Sequence, residues 1–301
     1  MTTAFAARQQ IDAGVRRVSY AEDGPSNGPA VLLRHGWPYD IHSYAAVTPL
    51  LASAGYHVLV PYLRGLGATR FRSPATVRNG QQAALALDAI ALLAALHIDN
   101  ALVAGFDWGA RAAASVAALW PQRCTALVWV SGYLIGSQAA NQALAPPAAE
   151  LAWWRQYYFA SERGQRGYEQ YRGEFNQLIW RRASPQWAFD EATYARTAAS
   201  FDNPDHVRVV MHHYRWRLGA GESRYDALEQ RLAQGPLISV PTITLEGDAN
   251  GAPHPESSAY RAHFSGTDEH RRITGGVGRN LPQEAPQAFA QALFDVHRSI
   301  K

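Results

Sequence analysis

The chain has 301 residues, 47% of them hydrophobic and 18% charged, a composition that excludes a disordered tail or a fibrous repeat. Its 28 Lys and Arg against 25 Asp and Glu leave a formal charge of only +3, which argues against a nucleic-acid partner. The single cysteine, Cys124, rules out an intramolecular disulfide, and no Cys/His cluster has zinc spacing, so a reducing cytoplasm fits best.

The first residues, MTTAFAARQQIDAG, lack the basic and apolar regions of a secretion signal. No later stretch reaches the roughly 18 uncharged apolar residues of a membrane span. Arginine stands almost everywhere lysine would, since Lys301 is the only lysine, and with abundant alanine this points to a GC-rich bacterial gene.

Residues 9–13 and 16–20 suggest two leading antiparallel strands. From 30 to about 131, short apolar runs alternate with helical stretches, the signature of parallel βαβ units. The runs at 30–34, 57–61, 101–104 and 126–130 read as strands, and 43–54, 81–96 and 109–119 as helices. From 132 to 235 the strand signal disappears, and a Trp-, Tyr-, Ala- and Arg-rich stretch is punctuated by Pro146, Pro147, Pro185 and Pro204, as in a helical insertion. Arginines and aromatics are densest over 153–172, which reads as an amphipathic lid with solvated arginines rather than a nucleic-acid platform. Strands return at 242–246 and near 270–273, and a helix over 284–298 closes the chain. The expected architecture is an α/β core of about eight mostly parallel strands, residues 1–131 and 240–301, with a helical lid over 132–239.

The chemistry concentrates in the loops after these strands. Gly105-Phe106-Asp107-Trp108-Gly109 joins a strand to a helix, where flanking glycines permit the strained turn of a nucleophile elbow. A carboxylate held there attacks an electrophilic sp3 carbon and forms an ester, whereas a serine would acylate on a carbonyl. The bland alternative is an Asp N-cap in a plain turn. His35-Gly36-Trp37-Pro38 follows the first buried strand, so the backbone NH groups of Trp37 and Trp108 are the candidates for an oxyanion hole. Leu245-Glu246-Gly247-Asp248 ends a later strand, and Gly276-Val277-Gly278-Arg279-Asn280-Leu281-Pro282-Gln283-Glu284 follows the last one.

Taken together, the HGWP loop, the Arg64-Gly65-Leu66-Gly67 turn, GFDWGA, the strand-end Gly-Asp and the GVG-N-LPQE loop resemble the epoxide hydrolase and haloalkane dehalogenase group of α/β-hydrolases along nearly the whole chain. The resemblance implies an α/β-hydrolase fold, no cofactor and no metal, with Asp107 as alkylating nucleophile and Asp248 as the acid of the catalytic set. In the group, a histidine in GxGH activates the water that hydrolyses the ester. Here the position is Arg279, which has no lone pair to act as base, so the hydrolytic step is expected to be missing or badly impaired. A guanidinium there should pair with Asp107 or Asp248.

Epoxide hydrolases also use two lid tyrosines to bind and protonate the epoxide oxygen. Met211-His212-His213-Tyr214-Arg215 matches one of them, making Tyr214 the acid. The other falls near Trp153-Trp154-Arg155-Gln156-Tyr157-Tyr158-Phe159, with Arg155 in its slot and Tyr157 and Tyr158 beside it. His35, Trp37, Arg155, Tyr157 and Tyr158 are expected to line the pocket. Among dehalogenases a second halide donor is commonly an Asn after His-Gly or a lid Trp; Trp37 holds the first position, so the balance leans to epoxides.

Three functions are compatible with this pattern: an epoxide hydrolase-like enzyme slowed at its second step, a catalytically disabled protein that binds a small molecule, and a haloalkane dehalogenase. Arg34 ends a buried strand and must find a carboxylate or the surface. His212 and His213 read as lid packing rather than metal ligands, and His254, just after Asp248, is a candidate replacement base. The aromatic lid would offer a surface for a homodimer.

Overall fold

A computed structural model describes Phe5, residues 8–222 and residues 224–300. The N-terminal stretch read for a leader is therefore only partly described, and Lys301 lies outside the described residues. No helix among them is long and apolar enough to cross a membrane.

Among the described residues, nine strands form one sheet: β1 (Arg8–Ala13), β2 (Arg16–Asp23), β3 (Ala30–Arg34), β4 (His57–Pro61), β5 (Arg70–Phe71), β6 (Ala101–Gly105), β7 (Cys124–Val130), β8 (Thr242–Gly247) and β9 (Asp268–Ile273). Their order is β1-β2-β4-β3-β6-β7-β8-β9, with β5 paired to β2. β1 and β2 run antiparallel, and every pair from β4 across to β9 is parallel. β3, β4, β6 and β7 are rich in Val, Leu and Ala because helices cover both faces of the sheet and leave no polar side. β5 went unread because two residues, Arg and Phe, carry no periodicity.

The helix expected over 43–54 is instead a short turn, Ile41–Tyr44, followed by a helix, Val47–Ser53. Pro49 explains the break: it lacks an NH and is tolerated only in a first helical turn, so the helix cannot start at 43. Pro286 likewise opens the last helix, Pro286–Arg298, and separates it from the turn Leu281–Glu284.

Between β7 and β8 every described regular element is helical, the longest being Glu162–Ala183 and His206–Arg217. Buried carboxylates tie this stretch to the sheet. Asp40 accepts from Thr197 Oγ1 at 3.1 Å, Ser200 Oγ at 2.5 Å and the backbone NH of His42 at 2.9 Å. Glu229 accepts the backbone NH of Ala83 at 2.9 Å and Gln82 Nε2 at 3.0 Å, so it caps the helix Gln82–Ala95.

Arg34 reaches neither the surface nor a carboxylate. It is 1% exposed, its Nη2 donates to the Leu85 carbonyl at 3.0 Å and its Nε has no partner. The nearby Asp88 is already held by Arg64 Nη2 at 2.7 Å and Arg16 Nε at 2.8 Å. Burial lowers the Arg34 pKa to about 10 despite the attraction of Asp88.

Candidate active site

Asp107 sits where β6 turns into the helix Trp108–Leu119, with φ 55° and ψ −121°. That region is rare for a residue with a Cβ and costs on the order of 1–3 kcal/mol, so the surroundings must enforce it. Three glycines make the turn possible. A Cβ on Gly109 would lie 1.9 Å from the Arg34 carbonyl oxygen, one on Gly105 2.5 Å from the Gly109 carbonyl carbon, and one on Gly36 2.5 Å from Asp107 Cβ.

The turn delivers the carboxylate to a prepared cradle. Asp107 Oδ1 accepts the Trp37 backbone NH at 2.9 Å, and the NH of Trp108 also hydrogen-bonds the carboxylate. Arg279 Nη2 donates to the other oxygen, Oδ2, at 2.9 Å, and Arg279 Nη1 donates to Ser131 Oγ at 3.3 Å. Burial alone would raise the Asp107 pKa, but the Arg279 charge and the two NH groups outweigh it, and the carboxyl lies below its ordinary value. The two oxygens of Asp107 are thus differently engaged, one by backbone dipoles and one by a cation.

A small cavity of about 60 Å³ opens onto this group, with room for about four waters. Its walls include Trp37, Tyr39, Asp107, Arg155, Arg182 and Arg279.

A family model for the alpha/beta hydrolase fold matches residues 29–262, well over half the chain. The chain belongs to the α/β-hydrolase family. A structure of a candidate epoxide hydrolase from Klebsiella pneumoniae superposes with a TM-score of 0.97 at 56% identity and covers 99% of both chains. An epoxide hydrolase of Caballeronia sordidicola is 35% identical over 128 residues, 40% of this chain and 38% of that protein. Epoxide hydrolase B of Mycobacterium tuberculosis is 35% identical over 120 residues, 39% of this chain and 33% of its own length. The matches to these two curated relatives therefore span about a third of their length.

In this α/β-hydrolase, Asp107, Trp37, Trp108 and Arg279 come together as one constellation. Asp248 lies in the adjoining loop: its carboxylate accepts the NH groups of Gly275 and Gly276 at 3.0 Å and of Val277 at 2.9 Å, and among the described residues it makes no hydrogen bond to Arg279. Burial works against ionisation of Asp248, but those three NH groups lower its pKa. It shapes the turn that leads to Arg279 rather than touching the guanidinium. The loop is fixed further by Glu284, which accepts from Gly278 N, Asn280 N and Ser184 Oγ, while Ser184 Oγ accepts the Arg279 NH at 2.9 Å.

Three expected pocket residues lie outside the cavity lining. His35 is fully buried, with Nδ1 2.8 Å from the Gly36 carbonyl and Nε2 accepting the Leu63 NH at 3.1 Å. Burial holds its pKa down to about 4, so it is a neutral structural ring. Tyr157 is 44% exposed and donates to Glu150, because two residues along a helix from Arg155 point to the opposite face. Tyr158 stacks on Phe175 at 5.7 Å as part of the aromatic packing. Arg155 does line the cavity.

Tyr214 is 3% exposed, packed edge-on to Trp37 with centroids 5.4 Å apart. Burial raises its pKa, while a hydrogen bond and charge from Arg155 oppose the rise. His213 stacks on Trp108 at 4.1 Å with Nδ1 2.7 Å from the Gly80 carbonyl, and His212 Nδ1 accepts the Gly80 NH at 3.1 Å, so this pair packs against the core. His254 stands 3.8 Å from Glu246 Oε1.

Sequence reading passed over Tyr39, Tyr168, Arg111 and Arg217. Arg111 stood out in principle: it is the lone charged residue on a helix whose other residues are almost all apolar and buried. Arg217 donates to Asn141 Oδ1 through Nη2 at 2.6 Å and lies 4.5 Å from the Trp153 ring. The remaining two carried no signal, since tyrosine is as common in cores as in sites.

Proposed function

We propose that this chain is an epoxide hydrolase-like enzyme that forms an ester on Asp107 and hydrolyses it slowly. The observation that carries the reading is a carboxylate at a strained strand–helix turn with one oxygen held by the Trp37 and Trp108 NH groups. In the first step Asp107 Oδ2 attacks a ring carbon of the epoxide, the carbon–oxygen bond opens, and the departing oxygen takes a proton from Tyr214. As the ester is hydrolysed, charge collects on the oxygen facing the two NH groups, which stabilise it. The helical stretch 132–239 acts as the lid that keeps water from the first step.

The second step needs a base to take a proton from the attacking water. In the epoxide hydrolase group a histidine does this, and Arg279 stands in its place. A guanidinium neutralises Asp107 and competes for the oxygen that must attack, and it cannot accept a proton. The ester is therefore expected to accumulate. A second reading, a protein that binds a small molecule without turnover, draws its support from that same Arg279–Asp107 pair.

Intact-mass measurement after incubation with a panel of small epoxides separates the two. The enzyme reading expects a stoichiometric adduct that maps to Asp107 and is absent in Asp107→Asn. A folded protein that gains no mass with any epoxide would leave the binding reading in possession of the site.

A further inference from the structure

The polar groups around the cavity do not balance. Arg155 Nε and the Tyr39 hydroxyl are both buried and both without a hydrogen-bond partner, and both residues line the cavity beside Asp107. Tyr39 is 1% exposed, its ring stacked on Trp180 at 5.0 Å, so the hydroxyl cannot swing out to water. Arg155 is fixed too: Nη1 donates to the Ala152 carbonyl at 3.3 Å, and its guanidinium lies 5.0 Å from the Trp153 ring and hydrogen-bonds Tyr214. An unmade hydrogen bond on a buried donor is unfavourable, and a ligand's acceptor atoms would recover that loss.

Charge points the same way. Arg111, Arg155, Arg217 and Arg279 lie close enough to perturb one another or Asp107, and Arg182 stands at the cavity wall. Among the described residues, the one ion pair any of these five makes is Arg279 with Asp107. Arg217 rests on a neutral amide and Arg111 on the Leu134 carbonyl. Burial and the neighbouring guanidinium of Arg111 lower the Arg217 pKa to about 9, the mark of cations short of a counter-ion. The two orphaned groups are donors, and the surplus charge is positive.

We propose that the cavity recognises a small substrate bearing an anionic group, a carboxylate, which accepts from Arg155 Nε and the Tyr39 hydroxyl while its electrophilic carbon faces Asp107. This rests on the Asp107 reading above and narrows it to short epoxy acids. At about 60 Å³ the space suits a ligand of a few heavy atoms. A neutral epoxide of the same size, whose single acceptor oxygen is taken by Tyr214 in the reading above, would leave both donors unpaired.

Binding of unreactive ligands tests recognition without calling on Asp107 chemistry. Propanoate, propanamide and methylphosphonate would be titrated calorimetrically into the intact protein. Propanoate is expected to bind at least tenfold more tightly than propanamide, with affinity falling as salt rises. Arg155→Gln should weaken propanoate tenfold or more and Tyr39→Phe several-fold, with propanamide unaffected. Equal affinity for acid and amide would overturn the proposal, and that comparison needs no variant to fold. Tighter binding of methylphosphonate than of propanoate would overturn the choice of carboxylate in favour of a phosphate-like group. A parallel mass measurement compares glycidate with propylene oxide. Adducts from both at equal rates, with no propanoate binding, would sink the anion site and leave the ester reading standing. Propanoate binding with no adduct from either would do the reverse.

Discussion

Trp37 is held from both ends: its backbone NH donates to Asp107 Oδ1 at 2.9 Å, and its indole Nε1 donates to the Tyr168 hydroxyl at 3.3 Å. Tyr168 belongs to the helix Glu162–Ala183, so the helical stretch over the sheet directly supports the loop that cradles the carboxylate. The same hydroxyl lies 3.0 Å from Asn176 Oδ1 and 2.8 Å from His206 Nε2. Packing above the site and charge stabilisation inside it are therefore one network.

Replacing Tyr168 with Phe keeps the ring and removes its oxygen, leaving the buried Trp37 Nε1 and His206 Nε2 without a partner while His206 Nδ1 keeps the Gly65 carbonyl. A loss of about 1–3 kcal/mol in stability is expected by urea denaturation. The rate of adduct formation on Asp107 should fall several-fold as the Trp37 loop loosens. An unchanged alkylation rate in a folded variant would show that the support is structural only.

Arg279→His restores a lone pair beside Asp107. General-base assistance contributes roughly 10² to 10⁴ in rate, so turnover of an accepted epoxide should rise at least about a hundredfold. Single-turnover mass spectra should show the ester decaying where the parent protein accumulates it. An imidazole also relieves the cation on Oδ2, so alkylation should quicken as well. If the variant accumulates ester as the parent does, the missing base is not the cause.

Stability should depend on pH through Glu229. Burial raises its pKa to about 7 from an ordinary 4.5, against the opposing hydrogen bonds from Ala83 and Gln82. Folding therefore takes up a proton between those values, and each step up in pH across this window destabilises the protein, by on the order of 3 kcal/mol at most. Asp107 and Asp248, with lowered values, act oppositely and lose their contribution only as pH falls below the usual carboxylate range. Glu229→Gln should flatten the decline in Tm between pH 4.5 and 7 relative to the parent, a difference readable by thermal melts across that range. Equal slopes would place the titration elsewhere.

Much of this was legible because the signals were local. Apolar runs with helical spacing between them marked the parallel strands, and the glycines around Asp107 marked a turn that only a Cβ-free neighbour allows. A pair between Arg279 and either Asp107 or Asp248, far apart in sequence, could be expected in advance because the family resemblance sets all three in one catalytic group; that the partner is Asp107 needed the fold. The start at Val47 needed the position of Pro49 rather than the periodicity. That Asp248 accepts the NH groups of Gly275, Gly276 and Val277 was not legible, because a strand-end carboxylate looks the same whether it orients a side chain or folds its own loop. The Tyr39 hydroxyl was invisible because what makes it notable is an absence: no neighbour in the fold takes its hydrogen.

The Arg16, Arg34, Arg64 and Asp88 cluster allows a prediction of opposite signs within one site. Asp88 is buried between Arg16 and Arg64, and several guanidinium contacts depend on it, including Arg64 Nε at 2.7 Å. Removing its charge in Asp88→Asn leaves three buried cations without a counter-ion, and breaking a buried pair in this way typically costs about 3–5 kcal/mol. Arg34 is the surplus member: it makes no ion pair, it keeps one hydrogen bond to Leu85, and burial already depresses its pKa to about 10. Arg34→Met keeps much of the side chain's length, removes an under-solvated cation and spares the Arg34 backbone carbonyl that accepts from Tyr44 at 2.9 Å. Exchanging a poorly compensated buried charge for an apolar side chain is neutral to stabilising by about 1–4 kcal/mol. Urea midpoints should therefore fall sharply for Asp88→Asn and hold or rise for Arg34→Met. The double variant should lose less than Asp88→Asn alone, because one of the stranded cations is gone. A large loss in Arg34→Met would mean that its hydrogen bond to Leu85 matters more than the desolvation of its charge.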